Sequence, residues 1–362
     1  MFGATDRDAD LFHVIPEVIG DGFPYLEDGR GRRAAVLWPA DAVHVPEHGL
    51  EVLLREAYGW DDLVMASRDE FEIWARLVPR VCADLGIEEA AVPPQFPLFL
   101  ADAVRAAGVV LRVDADLFAG RRRVKTAHQL AGIRRATATA EAALEVAREL
   151  IAACRPAEEV RAAIRAVHDE RDCDFDDAIV APGAQGASYH ELGSGPLTAG
   201  EPVVVDLWPR DRHSRCWADM TRTFVAGGVE PPPLLEEMWR LCRASLDVAY
   251  AAIRPGVNGR AVWAASCEPF EAAGWPTQRT RAAGSDPEEG FVHGLGHGLG
   301  LEVHERPNVG RLGDELVAGD VLAIEPALYR PGFGGCRLED VVLVTEDGCE
   351  RIGSFPYDLR AA

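Results

Sequence analysis

The chain has no run of eighteen consecutive apolar residues, so the sequence offers no candidate for a membrane-crossing helix. Met1 to Asp10 holds Asp6, Asp8 and Asp10 and lacks the apolar centre of a signal peptide, which leads to the expectation of a cytoplasmic protein. Positive charge is scarce: 37 Lys and Arg stand against 59 Asp and Glu, a formal net charge of −22. Nucleic acid and anionic membranes attract proteins through cations, so neither is an expected partner. No two of the eight cysteines form a C-x-x-C pair, and scattered thiols suit a reduced compartment better than a disulfide framework. The helical zinc-protease word H-E-x-x-H fails at His304-Glu305, which runs on into Arg306, Pro307 and Asn308. The glycines just before it read G-x-G-x-G-x-G, which is no dinucleotide fingerprint.

What the sequence does have is concentrated in FVHGLGHGLGLEVHE, Phe291 to Glu305, where three of the ten histidines, His293, His297 and His304, fall within twelve residues. Gly294, Gly296, Gly298 and Gly300 would each cost a helix about 1 kcal/mol relative to alanine, so the segment is expected to be extended. Glycine at every second position strips one face of side chains and lets another backbone, a metal or a substrate approach. His293 and His297 then share a side. His304 points to the other unless a bulge intervenes.

Four acids interrupt apolar, β-branched runs that read as strands: Asp206 and Asp219 in VVVDLWPRDRHSRCWADMTRTFVAG, Glu325 in VLAIEPALY and Glu339 in CRLEDVVLV. A carboxylate buried in a strand is costly unless it is paired or coordinates a metal. Four carboxylates with one histidine make a ligand set for two divalent ions, with four negative charges against four positive. Asp206 and Glu325 lie 119 residues apart, Asp219 and Glu339 lie 120 apart, and this near-equal spacing suggests an internal duplication. The segments before each pair agree. Ile133, Ala136, Ala140, Leu144, Ala147 and Ile151 mark an amphipathic helix that starts with a Thr126–Gln129 capping box, and Val160, Ile164 and Val167 mark another after Pro156. In the second half a helix follows Pro233 and stops at Pro255-Gly256, and Asn258 caps a shorter one. Gly227 to Pro233 reads as the connector between the halves.

Residues before about Gly120 form a different unit. Arg33 to Trp38, Leu63 to Ala66, Ala90 to Val92 and Val109 to Val113 read as strands. Phe71, Trp74, Leu77, Val78 and Val81 mark one helix face, and Leu98 to Ala107 is a second helix. Such alternation argues an α/β domain. His44 and His48 flank Pro46 and are expected to be surface residues.

The words HGLGHGLGLEVHE, DMTRTF, IEPALY and RLEDVVLV, in this spacing, resemble the pita-bread family of creatinase, prolidase and methionine aminopeptidase. The likeness is to its Xaa-Pro aminopeptidase and prolidase branch, and it runs from Val124 to the C-terminus. It implies an α+β fold: a duplicated catalytic domain over residues 124–362, preceded by a smaller α/β domain over 1–123, in a homodimer. It implies two divalent ions held by Asp206, Asp219, His297, Glu325 and Glu339, with Mn²⁺ first in order and Co²⁺ or Zn²⁺ as alternatives. Oxygen-rich ligands with one imidazole suit such ions. His190 matches the family's histidine one strand earlier, and His293 and His304 match its outer, substrate-contacting histidines. In the expected chemistry Glu325 moves a proton to the leaving nitrogen, while His190 and His304 hydrogen-bond the tetrahedral oxyanion. His293 borders the pocket, and Arg337 orients Glu339 or a substrate carboxylate. The implied reaction is removal of the residue before a proline in second position, with an Xaa-Pro aminopeptidase preferred to an Xaa-Pro dipeptidase. A metal-dependent lyase and a non-catalytic binding module on the same scaffold are the alternatives. Two departures are visible. Asp206 is followed by Leu207, Trp208 and Pro209 where the family usually has a glycine, and it precedes Asp219 by thirteen residues rather than eleven. Cys336 stands before Arg337 where an aliphatic residue is common.

Overall fold

The computed structural model describes all residues except 44, 46–48, 281–288 and 361–362, so His44 and His48 lie outside the described residues. The chain divides into two compact units, Met1–Arg122 and Arg123–Ala362.

In the first unit a sheet is ordered Phe2–Gly3, Phe23–Glu27, Arg33–Leu37, Glu51–Leu54. Its last two strands are parallel, as are Glu89–Val92 and Val110–Val113 in a separate pair. Helix Glu70–Asp84 buries Ile73, Trp74, Leu77, Val78, Val81 and Cys82. Phe71, expected on that face, is 65% exposed and lies edge-on to Phe99. Leu63 to Ala66 is not a strand but the end of helix Trp60–Ala66. Only Leu63 of that helix is buried while Val64 and Met65 face solvent, and Asp61 and Asp62 sit in the first turn, where the helix dipole favours them.

The second unit repeats one plan. Helix Ala127–Ala152 starts on the reciprocal Thr126–Gln129 capping box, and helix Ala157–Glu170 follows Pro156. A three-stranded antiparallel sheet comes next, with Pro202–Leu207 between Ala178–Pro182 and Met220–Val225. Helices Pro233–Ala252 and Gly259–Ala272, the latter capped by Asn258, then lead to an antiparallel sheet. Its order is Glu305–Val309, Gly296–Gly298, Val321–Ile324, Asp340–Val344, Cys349–Ile352. Each half buries its own apolar core, with Leu144, Ile164, Val205 and Phe224 in one and Met238, Phe270, Leu322 and Val342 in the other. A third cluster joins them, packing Ile133, Cys216 and Ala218 against Leu299, Val321 and Val341. All eight cysteines are free thiols. Among the described residues no helix is long and apolar enough to cross a membrane.

The glycine-rich stretch is extended only over Gly296–Gly298, the strand wedged between two others. A Cβ on Gly296 would stand 2.0 Å from the Ala323 carbonyl oxygen, and one on Gly298 would stand 2.3 Å from that of Arg306. Bare backbone is therefore what lets the strand fit. Gly296→Ala is expected to destabilise the protein by about 3 kcal/mol, the upper end for overpacking, because the obstacle is backbone that cannot rotate away. A chemical denaturation midpoint unchanged from wild type would show that the sheet can spread.

Candidate metal centre

Between His297 and Gly298 the pairing slips: His297 faces Asn308, but Gly298 faces Glu305. The chain bends over residues 300–304 before it returns as Glu305–Val309, so strand parity does not govern His304, whose ring centroid lies 4.3 Å from that of His297. The four acids reach the same place by different routes. Only Asp206 lies within a strand. Asp219 immediately precedes Met220–Val225, Glu325 follows Val321–Ile324, and Glu339 lies between Gly334–Arg337 and Asp340–Val344. Strand ends suit carboxylates better than strand centres, and Pro326, without an N–H, helps stop the ladder after Ile324.

All the residues singled out from sequence line one cavity of about 430 Å³: Asp206, Asp219, Glu325, Glu339, His190, His293, His297, His304 and Arg337. The hairpin lengthened by two residues keeps its parity. The register that pairs Leu207 with Met220 and Asp206 with Thr221 continues unbroken to the Arg210–Trp217 bridge. Asp206 and Thr221 therefore share a face, and Trp208 stands across from Asp219 on that same face.

Among the described residues Arg337 is the one guanidinium that lines the cavity with the four carboxyl groups. It donates to Asp206 Oδ2 at 2.6 Å, Thr221 Oγ1 at 3.1 Å, Tyr329 Oη at 2.9 Å and the Tyr189 carbonyl at 3.2 Å. Among the described residues Arg337 makes no direct hydrogen bond to Glu339, the acid it was expected to orient; the two are linked through Thr221, whose hydroxyl donates to Glu339 Oε2 at 2.7 Å. The reason is reach. Arg337 ends its strand, and Glu339 lies beyond that strand's end, so the two side chains do not run in parallel. Thr221 and Tyr329 were missed from sequence. Thr221 had a signal, since it stands two residues from Asp219 and so on the same face of a strand. Arg337→Lys keeps the charge but not the four-way fork. It is expected to weaken divalent-ion binding 10- to 100-fold, the usual effect of losing a residue that orients ligands. An unchanged dissociation constant in a metal titration would contradict this.

The histidines differ in what they offer. His297 Nδ1 lies 3.1 Å from the Gly298 carbonyl, so it carries the proton and leaves the Nε2 lone pair facing Asp219 Oδ2 at 3.7 Å and Glu325 Oε1 at 3.9 Å. His293 is engaged at both nitrogens, by the Gly294 carbonyl at 2.7 Å and the Tyr329 hydroxyl at 3.0 Å, and so presents its ring to the cavity. Burial holds both rings neutral, lowering His293 to about 3 and His297 to about 4. Burial also lowers His304, helped by the nearby His190. The ring nitrogens of His190 and His304 have no hydrogen-bond partner among the described residues, which leaves them available to a ligand.

The donor set fits a pair of divalent ions. Ligand atoms of Asp206, Asp219 and Glu339 lie within 4.8 Å of one another, as do those of His297, Glu325 and Glu339, and those of Asp219, His297 and His304. The last group gives His304 a possible ligand position as well as the expected substrate contact. Asp206 Oδ1 is buried without a hydrogen-bond partner, a costly state for a carboxylate oxygen unless a cation meets it. Burial pushes the carboxyl groups of Asp219 and Glu339 well above their usual range, and their acidic neighbours push them further. Burial drives Glu325 up to about 8, with Asp206 adding to the shift against the opposing pull of Arg337. One guanidinium does not balance four carboxylates, and two dications would.

The chain belongs to metallopeptidase family M24, whose model matches residues 131–346. It is 33% identical over 275 residues to the probable dipeptidase PepE of Mycobacterium bovis, which spans 74% of this chain and 68% of that one. It is 30% identical over 248 residues to the Xaa-Pro dipeptidase of Pyrococcus furiosus, 67% of each chain. The solved X-Pro aminopeptidase from Thermotoga maritima has the same fold at 23% identity, with a TM-score of 0.72 over 90% of this chain and 87% of that one. The fold is thus α+β, a pita-bread unit preceded by a smaller domain, as the resemblance implied.

Proposed function

We propose that this chain is a dinuclear-metal peptidase that splits Xaa-Pro dipeptides, with Asp206, Asp219, His297, Glu325 and Glu339 as the residues that hold the ions. The observation that carries the reading is the set of four acids, three of them with carboxyl groups displaced upward, around a neutral imidazole lone pair and an unpartnered buried oxygen. Two bound divalent ions would balance those carboxylates and activate water at neutral pH. The protein's own groups do the rest. Glu325, grouped with His297 and Glu339, takes a proton from the attacking water and delivers it to the proline nitrogen. His190 and His304, with ring nitrogens free, hydrogen-bond the carbonyl oxygen as it gains charge. Arg337 and Thr221 hold Asp206 and Glu339 in place.

The sequence put the aminopeptidase first. Relatives at 30% identity or more that are named dipeptidases, the probable dipeptidase PepE and the Pyrococcus furiosus Xaa-Pro dipeptidase among them, support putting the dipeptidase first here. A cavity of about 430 Å³ also falls in the range of pockets that enclose small molecules. The Mn²⁺-loaded chain is expected to release proline from Gly-Pro faster than it removes glycine from Gly-Pro-Ala. Cleavage of the tripeptide alone would restore the aminopeptidase, and cleavage of neither would remove the peptidase reading.

A further inference from the structure

We infer that Trp208 selects the side chain of the substrate's first residue, and that this enzyme favours a large apolar residue there over glycine. This rests on the peptidase reading above. Trp208 belongs to the hairpin that is two residues longer than the resemblance implies, and the continuous register across that hairpin places it opposite Asp219. Its indole lines the cavity beside the apolar side chains of Ile179, Leu192 and Val303. Ile179 is fixed there by pairing directly with Asp206 on the neighbouring strand. Leu192 is 41% exposed and Trp208 half-buried, so an apolar guest would cover surface that now faces water.

The reaction fixes proline as the second residue, so only the first residue varies in size and polarity. The first residue is therefore the one whose selection an apolar wall of Trp208, Ile179, Leu192 and Val303 can serve, and it is placed against Trp208.

The test compares kcat/KM for Gly-Pro and Leu-Pro in the Mn²⁺-loaded full chain, in Trp208→Ala and in Trp208→Phe, with bound metal measured in each. Apolar pockets discriminate such side chains by roughly 10-fold or more, so wild type is expected to prefer Leu-Pro by at least that ratio. In Trp208→Ala the ratio is expected to fall at least fivefold, chiefly through KM, while Trp208→Phe keeps most of it. A ratio unchanged in Trp208→Ala, or an equal loss on both substrates, would overturn the inference while leaving the peptidase standing. An equal loss would place the proline ring, rather than the first residue, against the indole. No proline release by wild type from either dipeptide would overturn both.

Discussion

Glu325→Gln is expected to lower turnover of Gly-Pro by about 1,000-fold, within the range for loss of a general acid–base group, and to leave the fold intact. The substitution keeps the shape, exchanges one carboxyl oxygen for an amide nitrogen and removes the ability to take up and release a proton. Glu325 is suited to that task by position. It follows the strand Val321–Ile324 and lies 3.9 Å from both His293 Nδ1 and His297 Nε2, buried deeply enough to bring its carboxyl to about 8 in the metal-free protein. Removing one of four crowded acids relieves repulsion, so the metal-free variant should melt no lower than metal-free wild type. Turnover within tenfold of wild type would assign the proton transfer to another group.

The metal-free protein is expected to lose stability as pH rises from 6.5 to 8. The sign follows from the direction of the shifts. Glu325 goes from 4.5 up to about 8 on folding, and Asp219 and Glu339 also go up, so the folded state holds protons that the unfolded chain has given away. The stabilisation is complete below the unfolded value and disappears as pH climbs to the folded one. His293 and His297 act oppositely, since their values fall from 6.5 to about 3 and about 4. Their contribution is present above 6.5 and is lost only on acidification, so the interval from 6.5 to 8 isolates the acids. Metal ligands must be deprotonated, so bound Mn²⁺ should cancel or reverse the slope. Thermal melts with chelator and with Mn²⁺ at both pH values check this, and a melting temperature that rises with pH in chelator would contradict it.

The parts of this site that were legible in the sequence are those in which one residue type has few alternatives. Gly296 and Gly298 could be read as a bare strand because nothing larger fits beneath neighbouring carbonyls, and the two halves could be read from Asp206, Asp219, Glu325 and Glu339 because buried acids need a cause. The helix starts at Thr126, Pro156 and Asn258 were legible because capping is local chemistry. What was hidden depends on contacts between distant segments. The role of Thr221 exists only because Arg337 and Glu339 arrive from 116 and 118 residues away. The bulge after His297 is set by how Glu305 and Asn308 pair with it. In the first unit Leu63 to Ala66 has the composition of a strand, yet the environment buries one side chain in four and the segment coils. Strands Phe23–Glu27 and Glu51–Leu54 went unread because their apolar runs are too short to separate from loops.

The four carboxylates that share one cavity are the proposed seat of two cations. The most direct measurement is the metal content of the full chain after loading with Mn²⁺ and removal of free ion. Two ions per chain is the result this account requires. A chain that retains none, while folded and with its cavity intact, would contradict it.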